Sequence, residues 1–334
     1  MTEPPYQPAS SRYEGAMSYQ RAGRSGVLLP AFSLGLWHNF GSEQPFARIR
    51  EMAHYAFDHG IVHFDLANNY GPAYGAAEEN FGRLMERSFR PYRDEMFIST
   101  KAGYDMWPGP YGNWGSRKYL TASLDQSLRR MKTDYVDVFY SHRYDPQTPL
   151  EETLQALVDL VRRGKALYAG ISRYPPETAR TAFRYLAEHD VPCLLFQDKY
   201  NLFNREPETS GVLSLAAGAG SGFVAFSPLA QGLLTDRYLT GIPQDSRMAG
   251  GGSLRRDALT EGVLERIRGL DAIARQRGQT LARMALAWLL RDTRVTSVII
   301  GASSVAQIAD NLQALENASF SDEELARIDA LSAE

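Results

Sequence analysis

Apolar residues recur along this chain in two rhythms. Short apolar runs rich in β-branched and aromatic residues read as buried strands at Phe32–Trp37, Val62–Asp65, Met96–Lys101, Tyr135–His142, Ala166–Ser172, Leu194–Gln197, Phe223–Ser227 and Ser297–Gly301. Between them, apolar positions at helical spacing predict helices over Pro45–His59, Ala76–Arg87, Tyr119–Met131, Pro149–Arg163, Pro175–His189, Glu208–Ala217, Leu259–Arg277, Leu281–Arg291, Val305–Glu316 and Asp322–Leu331. Gly60 and Gly164 stand where two of these helices should stop. Ser321 with Glu324 has the spacing of a capping box. Met17–Pro30 reads as a β-hairpin turning at Gly23-Arg24-Ser25-Gly26.

Eight strand-then-helix units with no break in composition predict one α/β domain, a (β/α)8 TIM barrel spanning residues 15–334. Residues 1–14 are expected to form a disordered lead-in: Met1–Ser10 holds three prolines and no apolar stretch of signal-peptide type. The rival fold, a doubly wound dinucleotide-binding sheet, needs Gly-x-Gly-x-x-Gly between a strand and its helix. The glycine cluster Gly218-Ala219-Gly220-Ser221-Gly222 precedes its strand and lacks the last glycine.

Composition narrows the functions. Apolar content of 44% and charge of 22% are those of a globular protein with a sizeable core. A net charge of −3 and the lack of any basic block argue against nucleic acid or a membrane surface as partner. The uncharged stretch Thr209–Thr235 is broken by glycines and Pro228, so it reads as helix, turn and strand. A lone cysteine, Cys193, sits in a strand-like run and fits a reducing compartment such as the cytoplasm. No metal-ligand spacing is visible, so no metal is expected.

In a barrel of this kind the carboxyl ends of the strands share one mouth. The predicted strand ends carry Asp65, Lys101, His142, Ser172, Gln197, Ser227 and Gly301, with Tyr70 five residues past Asp65 in a polar loop. Singly, Asp65 serves equally well as a turn cap and Tyr70 as a half-buried aromatic. Together the residue types suggest proton transfer. A phenol titrates near pH 10, and an adjacent ammonium should lower that value. Bringing Tyr70 toward neutrality asks roughly 3–4 kcal/mol of Lys101 and its surroundings. Asp65 would keep Lys101 charged, and His142 would orient a substrate oxygen. A barrel using Lys101 as a Schiff-base nucleophile is the competing chemistry.

The set Asp65, Tyr70, Lys101 and His142, with Phe64-Asp65-x4-Tyr70-Gly71, Glu78, Gly82 and Ser99-Thr100-Lys101, resembles the aldo-keto reductase family over about Gly15 to Leu331. The resemblance implies a hairpin closing the barrel bottom, Tyr70 as general acid tuned by Lys101 and Asp65, and His142 as the carbonyl-orienting donor. It also implies a nicotinamide nucleotide, usually NADPH. Ser172 and Gln197 would hold the carboxamide, with Arg173 beside them, and Phe226 would stack on the nicotinamide. Ser227, Pro228, Leu229, Ala230, Gln231 and Gly232 would wrap the pyrophosphate. Gly301, Ser303, Gln307, Asp310 and Asn311 would meet the adenosine end, although the family usually has Glu at the position of Asp310. Arg237 and Arg247 are candidates for the phosphates, because a guanidinium fork matches them. Trp37 would border cofactor and substrate, and Trp107 would line the substrate pocket together with Tyr70 and His142.

Lys101–Gly112, Tyr140–Arg143 and Gly241–Met248 are similar to the bacterial L-glyceraldehyde 3-phosphate reductase group, which is related to potassium-channel beta subunits. The resemblance implies small aldehyde or ketone substrates and a homo-oligomer, tetramer or octamer. A nucleotide-sensing subunit with little turnover is the alternative. The channel subunits carry Asn at the position of His142, which favours the reductase.

Overall fold

The computed structural model describes residues 5–239 and 259–332. A hairpin of β1 (Tyr19–Arg21) and β2 (Leu28–Pro30) opens the fold. Then strands and helices alternate: β3 (Phe32–Gly35), α1 (Phe46–Asp58), β4 (His63–Asp65), α2 (Ala76–Leu84), β5 (Phe97–Ala102), α3 (Arg117–Met131), β6 (Val136–Ser141), α4 (Leu150–Arg162), β7 (Ala166–Ser172) and α5 (Pro176–Glu188). The second half adds β8 (Cys193–Lys199), α6 (Glu206–Thr209), α7 (Val212–Ala219), β9 (Gly222–Phe226), α8 (Glu261–Gln276), α9 (Leu281–Leu290), β10 (Val295–Ile300), α10 (Val305–Leu312) and α11 (Asp322–Ser332). β3 to β10 pair in parallel in sequence order, and β10 closes on β3. This is the expected eight-stranded α/β barrel, with each strand within two residues of its predicted ends.

Side-chain alternation sorts each strand. On β4 and β5, Phe64 and Ile98 join the large apolar layer beneath the helices. His63, Asp65, Phe97, Ser99 and Lys101 point inward, in register across the pair (His63 with Phe97, Asp65 with Ser99). The interior core contains Phe97, Val138, Tyr140, Leu195, Val224 and Ile299. Ala22 and Leu29 of the hairpin complete it from below, both fully buried, so the hairpin closes the bottom. Its turn docks on the far side of the chain: the N–H of Arg24 donates to the carbonyl of Gly220 at 3.0 Å. Gly23 has φ +54°, and a Cβ there would lie 2.0 Å from that same carbonyl oxygen, so no other residue fits.

Helix ends follow local chemistry. At α11 the N–H of Glu324 donates to Ser321 Oγ (3.2 Å) and the N–H of Ser321 to Glu324 Oε2 (2.8 Å), the reciprocal box expected from sequence. Leu154, Leu157, Val158 and Leu160 of α4 are buried, while Glu151 and Glu152 occupy its first turn, where negative charge complements the helix dipole.

Three expectations are corrected. The helix expected at Glu208–Ala217 is two, because Gly211 takes a left-handed conformation (φ 79°) between α6 and α7. The helix expected to end at Arg87 leaves regular α geometry at Leu84 and continues through a wider π turn, Met85–Phe89. The lead-in is seated rather than disordered over residues 5–14. The Tyr6 hydroxyl and the Ala9 N–H both donate to Asp58 Oδ1 at 2.8 Å, and Arg12 pairs with Glu95 at 2.6 Å. Tyr6 also stacks on His54, with ring centroids 3.8 Å apart. Termini stay loose only when nothing ties them down, and these contacts tie this one.

Candidate active site

Asp65 ends β4, Lys101 lies near the end of β5, and His142 follows β6 directly, so three successive strands deliver three ionisable groups to the mouth. Tyr70 reaches them from the β4 loop, held by its N–H on Ala67 O (3.0 Å) and by its own carbonyl, which accepts from the Ala77 N–H (3.2 Å). Lys101 is fully buried, and its ammonium is saturated: Nζ donates to Asp65 Oδ2 at 2.5 Å, Leu66 O at 2.7 Å and Tyr70 Oη at 3.3 Å. An ammonium has three hydrogens and no lone pair. Lys101 in this state is a donor with nothing left to attack a carbonyl, which removes support for the Schiff-base chemistry. It also makes Tyr70 Oη an acceptor from Lys101, so the phenolic hydrogen is free to point elsewhere.

Asp65 accepts from three sides, adding Ser99 Oγ (2.8 Å) and Gln197 Nε2 (3.1 Å) on Oδ1. On the outer face of β5, Thr100 Oγ1 donates to buried Glu78 at 2.5 Å, and Arg130 pairs with the other oxygen of Glu78 at 2.8 Å. These contacts brace the strand that carries Lys101 against α2 and α3.

The electrostatics depart from expectation at Tyr70. Burial, followed by the charges of Asp65 and Tyr104, holds this phenol well above its ordinary value. Lys101 does not bring it toward neutrality, because the ammonium spends its charge on Asp65 at 2.5 Å and meets the phenol only at 3.3 Å. Tyr70 is therefore a protonated phenol across the physiological range. Burial lowers Lys101, and Asp65 opposes that by charge and hydrogen bond. His142 is pushed well below its usual range by burial, with Lys101, Arg143 and Arg173 adding to the effect. The ring is neutral, and its Nδ1 has no partner among the described residues. It stands 5.8 Å from the Tyr70 ring, nearly perpendicular, and 4.7 Å from Tyr104.

The other expected residues are placed as follows. Ser172 and Gln197 are paired neighbours at the ends of β7 and β8. The Ser172 hydroxyl is buried without a partner among the described residues, whereas Gln197 already spends one hydrogen on Asp65. Arg173 is exposed with φ 55°, its N–H on Gln197 O. Phe226 ends β9, half-buried. Beyond it, Ser227, Ala230, Gln231 and Gly232 all take positive φ, interrupted by Pro228 and Leu229. Gly301 follows β10, and Ser303 folds onto Gln307 Oε1 at 2.7 Å through its N–H. Asn311 is buried, and Asp310 is ion-paired with Arg283. Trp37 stacks on His38 at 3.9 Å and lies 6.1 Å from Tyr70. Trp107 packs on Tyr119 at 5.1 Å instead of standing free. Arg237 sits in the Asp236–Tyr238 turn, and Arg247 falls outside the described residues.

Two contributors were given no role from the sequence, although Arg143 lies in the Tyr140–Arg143 segment noted there. The Arg143 guanidinium lies 3.6 Å from the Trp114 ring and 4.2 Å from Tyr104, and donates to Gly103 O at 2.7 Å and Asn113 Oδ1 at 3.0 Å. It thereby pins the long loop after β5 beside the mouth. His63 lies directly under Asp65, in contact with Ser99.

The class of protein follows. The profile of the aldo/keto reductase family matches residues 31–333, and the chain belongs to that family. It is an oxidoreductase. It is similar to proteins named L-glyceraldehyde 3-phosphate reductase from Escherichia coli K12 and O157:H7, at 58% and 57% identity over 319 residues, covering 94% of this chain and 92% of each relative. It is also 36% identical over 307 residues to a probable voltage-gated potassium channel subunit beta of Arabidopsis thaliana, covering 90% of this chain and 92% of that relative. Among the described residues, no helix is long and apolar enough to cross a membrane.

Proposed function

We propose that the protein is an NADPH-dependent reductase of small aldehydes and ketones, such as L-glyceraldehyde 3-phosphate or methylglyoxal. The observation that carries this reading is the polarity at Lys101. Its ammonium donates to Tyr70 Oη, so the phenolic hydrogen of Tyr70 is the one left for a substrate oxygen. The high pKa of the phenol keeps that hydrogen in place until negative charge develops on the oxygen it faces.

The residues present fit a nicotinamide nucleotide. The buried Ser172 hydroxyl, without a partner among the described residues, offers a donor to a carboxamide. Phe226 offers a ring face, and the turn Ser227–Gly232 takes positive φ at Ser227, Ala230, Gln231 and Gly232, with the N–H groups of Ala230 and Gly232 bonded inside the turn to Ser227 O and Leu229 O. When bound, the nucleotide supplies the hydride that reduces the carbonyl carbon. Tyr70 gives its proton to the carbonyl oxygen, Lys101 stabilises the phenolate left behind, Asp65 holds Lys101 charged, and the neutral His142 ring orients the oxygen by hydrogen bond. Trp37, Arg173, Arg237, Arg247, Gly301, Ser303, Gln307, Asp310 and Asn311 complete the proposed nucleotide contacts. Trp37 and Trp107 border the substrate.

Tyr70→Phe should lower kcat by about 10²–10⁴-fold while fluorescence titration shows unchanged NADPH affinity. A variant with wild-type kcat ends the proposal. Parallel titration with NADH tests the preference for the phosphorylated cofactor. The similarity to channel subunits supports a second reading, a nucleotide sensor with little turnover. Tight nucleotide binding with no turnover across an aldehyde panel would select it. Residence in the cytoplasm and assembly as a homo-oligomer, tetramer or octamer, belong to the same proposal, and sedimentation of the purified protein tests the assembly.

A further inference from the structure

His63 precedes Asp65 by two residues on β4, so both side chains enter the barrel on one face. The imidazole is fully buried, with Nδ1 2.7 Å from Ser33 Oγ and Nε2 3.0 Å from Ser99 Oγ. Phe97 meets it edge-on at 5.2 Å. The contacts continue in both directions. Upward, Ser99 Oγ donates to Asp65 Oδ1 at 2.8 Å. Downward, Ser33 Oγ lies 2.6 Å from Ser297 Oγ, which lies 2.6 Å from the carbonyl oxygen of Pro30.

Counting hydrogens gives this row a direction. Three hydroxyls and a neutral imidazole bring four hydrogens to five contacts. The Asp65 carboxylate only accepts, so the single hydrogen of Ser99 goes there. Nε2 of His63 must then carry a hydrogen and donate to Ser99. A neutral ring leaves Nδ1 as an acceptor, which Ser33 fills. The contact without a hydrogen falls at Ser297, which faces two acceptors with one hydrogen at the end remote from Asp65. Protonating the ring would supply the fifth hydrogen and turn Ser33 from Nδ1 to Ser297, which keeps its own hydrogen on the Pro30 carbonyl. The upper links would keep their direction. Burial pulls His63 down to about 4, with Lys101 adding and Asp65 opposing, so the neutral ring is the resident form.

We propose that His63 is a positioning residue for the reaction: held as the Nε2–H tautomer, it aims the Ser99 hydroxyl at Asp65 and so keeps the carboxylate seated on Lys101. This rests on the general-acid reading of Tyr70, because seating Asp65 matters to turnover only if Lys101 serves the phenol. Ser99 is the nearer of the two donors on Oδ1, at 2.8 Å against 3.1 Å for Gln197.

The tautomer is directly observable. Protein labelled with ¹⁵N-histidine, with His63 assigned through backbone correlations, should give at pH 7 a long-range ¹H–¹⁵N pattern with the hydrogen on Nε2. A pattern with the hydrogen on Nδ1 overturns the proposal, whatever the variants do. In steady-state kinetics Ser99→Ala should lower kcat about five- to ten-fold, the worth of one hydrogen bond. The aldehyde KM and the NADPH Kd should stay unchanged, and Ser99→Thr should recover the rate. A folded Ser99→Ala with wild-type kcat, or one that loses affinity instead of rate, also overturns it. Tyr70→Phe in the same series separates the two readings. If Tyr70→Phe is active, the general-acid reading fails; if it is inactive while Ser99→Ala is wild type, only the role of His63 fails.

Discussion

Inside the barrel, the wall formed by β10, β3, β4 and β5 presents Ser297, Ser33, His63, Ser99, Asp65 and Lys101. The wall formed by β6, β8 and β9 presents Val138, Tyr140, Leu195 and Val224. Both are buried to the same degree. What differs is how each is held. On the polar wall each of these six side chains depends on a named neighbour, so deleting one group strands another without a partner, at the desolvation cost of that group. On the apolar wall shape is what counts, and a change is felt as lost or excess volume. The site is built on the wall where errors cost most, which is how a carboxylate and an ammonium are kept in place away from water.

The sharpest way to break this contrast is to remove one charge. Lys101→Met leaves Asp65 buried and uncompensated, and should cost about 3–5 kcal/mol in denaturant unfolding. Asp65→Asn combined with Lys101→Met should recover most of that loss while staying inactive. If the single variant is as stable as wild type, the polar wall is not held together by its partners.

Next in size is the pH dependence of His63. Its pKa is lowered to about 4 in the fold from 6.5. Between those values the unfolded chain binds the proton and the folded one does not, so stability falls as pH falls from 6.5 toward 4. The buried ring contributes about 3 kcal/mol to that fall. His142 and His54 shift in the same direction, so the measurement is the difference between wild type and His63→Gln, which should lose that share of the acid sensitivity. Equal pH slopes for the two proteins would count against the buried neutral ring.

The smallest effects belong to the apolar wall. A Cβ added at Gly170 would lie 2.5 Å from the Tyr140 ring and 3.0 Å from Val138, so Gly170→Ala should cost about 1–3 kcal/mol by overpacking. Leu195→Met keeps the volume and should cost less than about 1.5 kcal/mol. A larger loss for Leu195→Met than for Gly170→Ala would reverse the comparison.

Much of this was legible in the sequence because it is local. Apolar runs such as Val62–Asp65 mark strands, strand ends mark the mouth, and the residue types at Asp65, Lys101 and His142 fall there by chain order alone. What could not be read depends on contacts across the chain. The direction of the shift at Tyr70 is set by burial and by how Lys101 divides its hydrogens, neither of which a motif records. His63 carries no motif either. Its place is defined by Ser33, Ser99 and Ser297, residues 30, 36 and 234 positions away whose meeting depends on register. The ion pair of Asp310 with Arg283, 27 residues back on a neighbouring helix, depends on such a contact too. The break at Gly211 was visible as a glycine, but only the backbone shows that it takes the left-handed form.

The hairpin turn is clasped twice, by the Arg24 N–H on Gly220 and by the Arg24 guanidinium on Ala219, 195 residues away. During synthesis this cork leaves the ribosome before any part of the bottle. It has nowhere to fit until the seventh wall strand has been made, so its docking can serve as a timestamp for completion of the vessel.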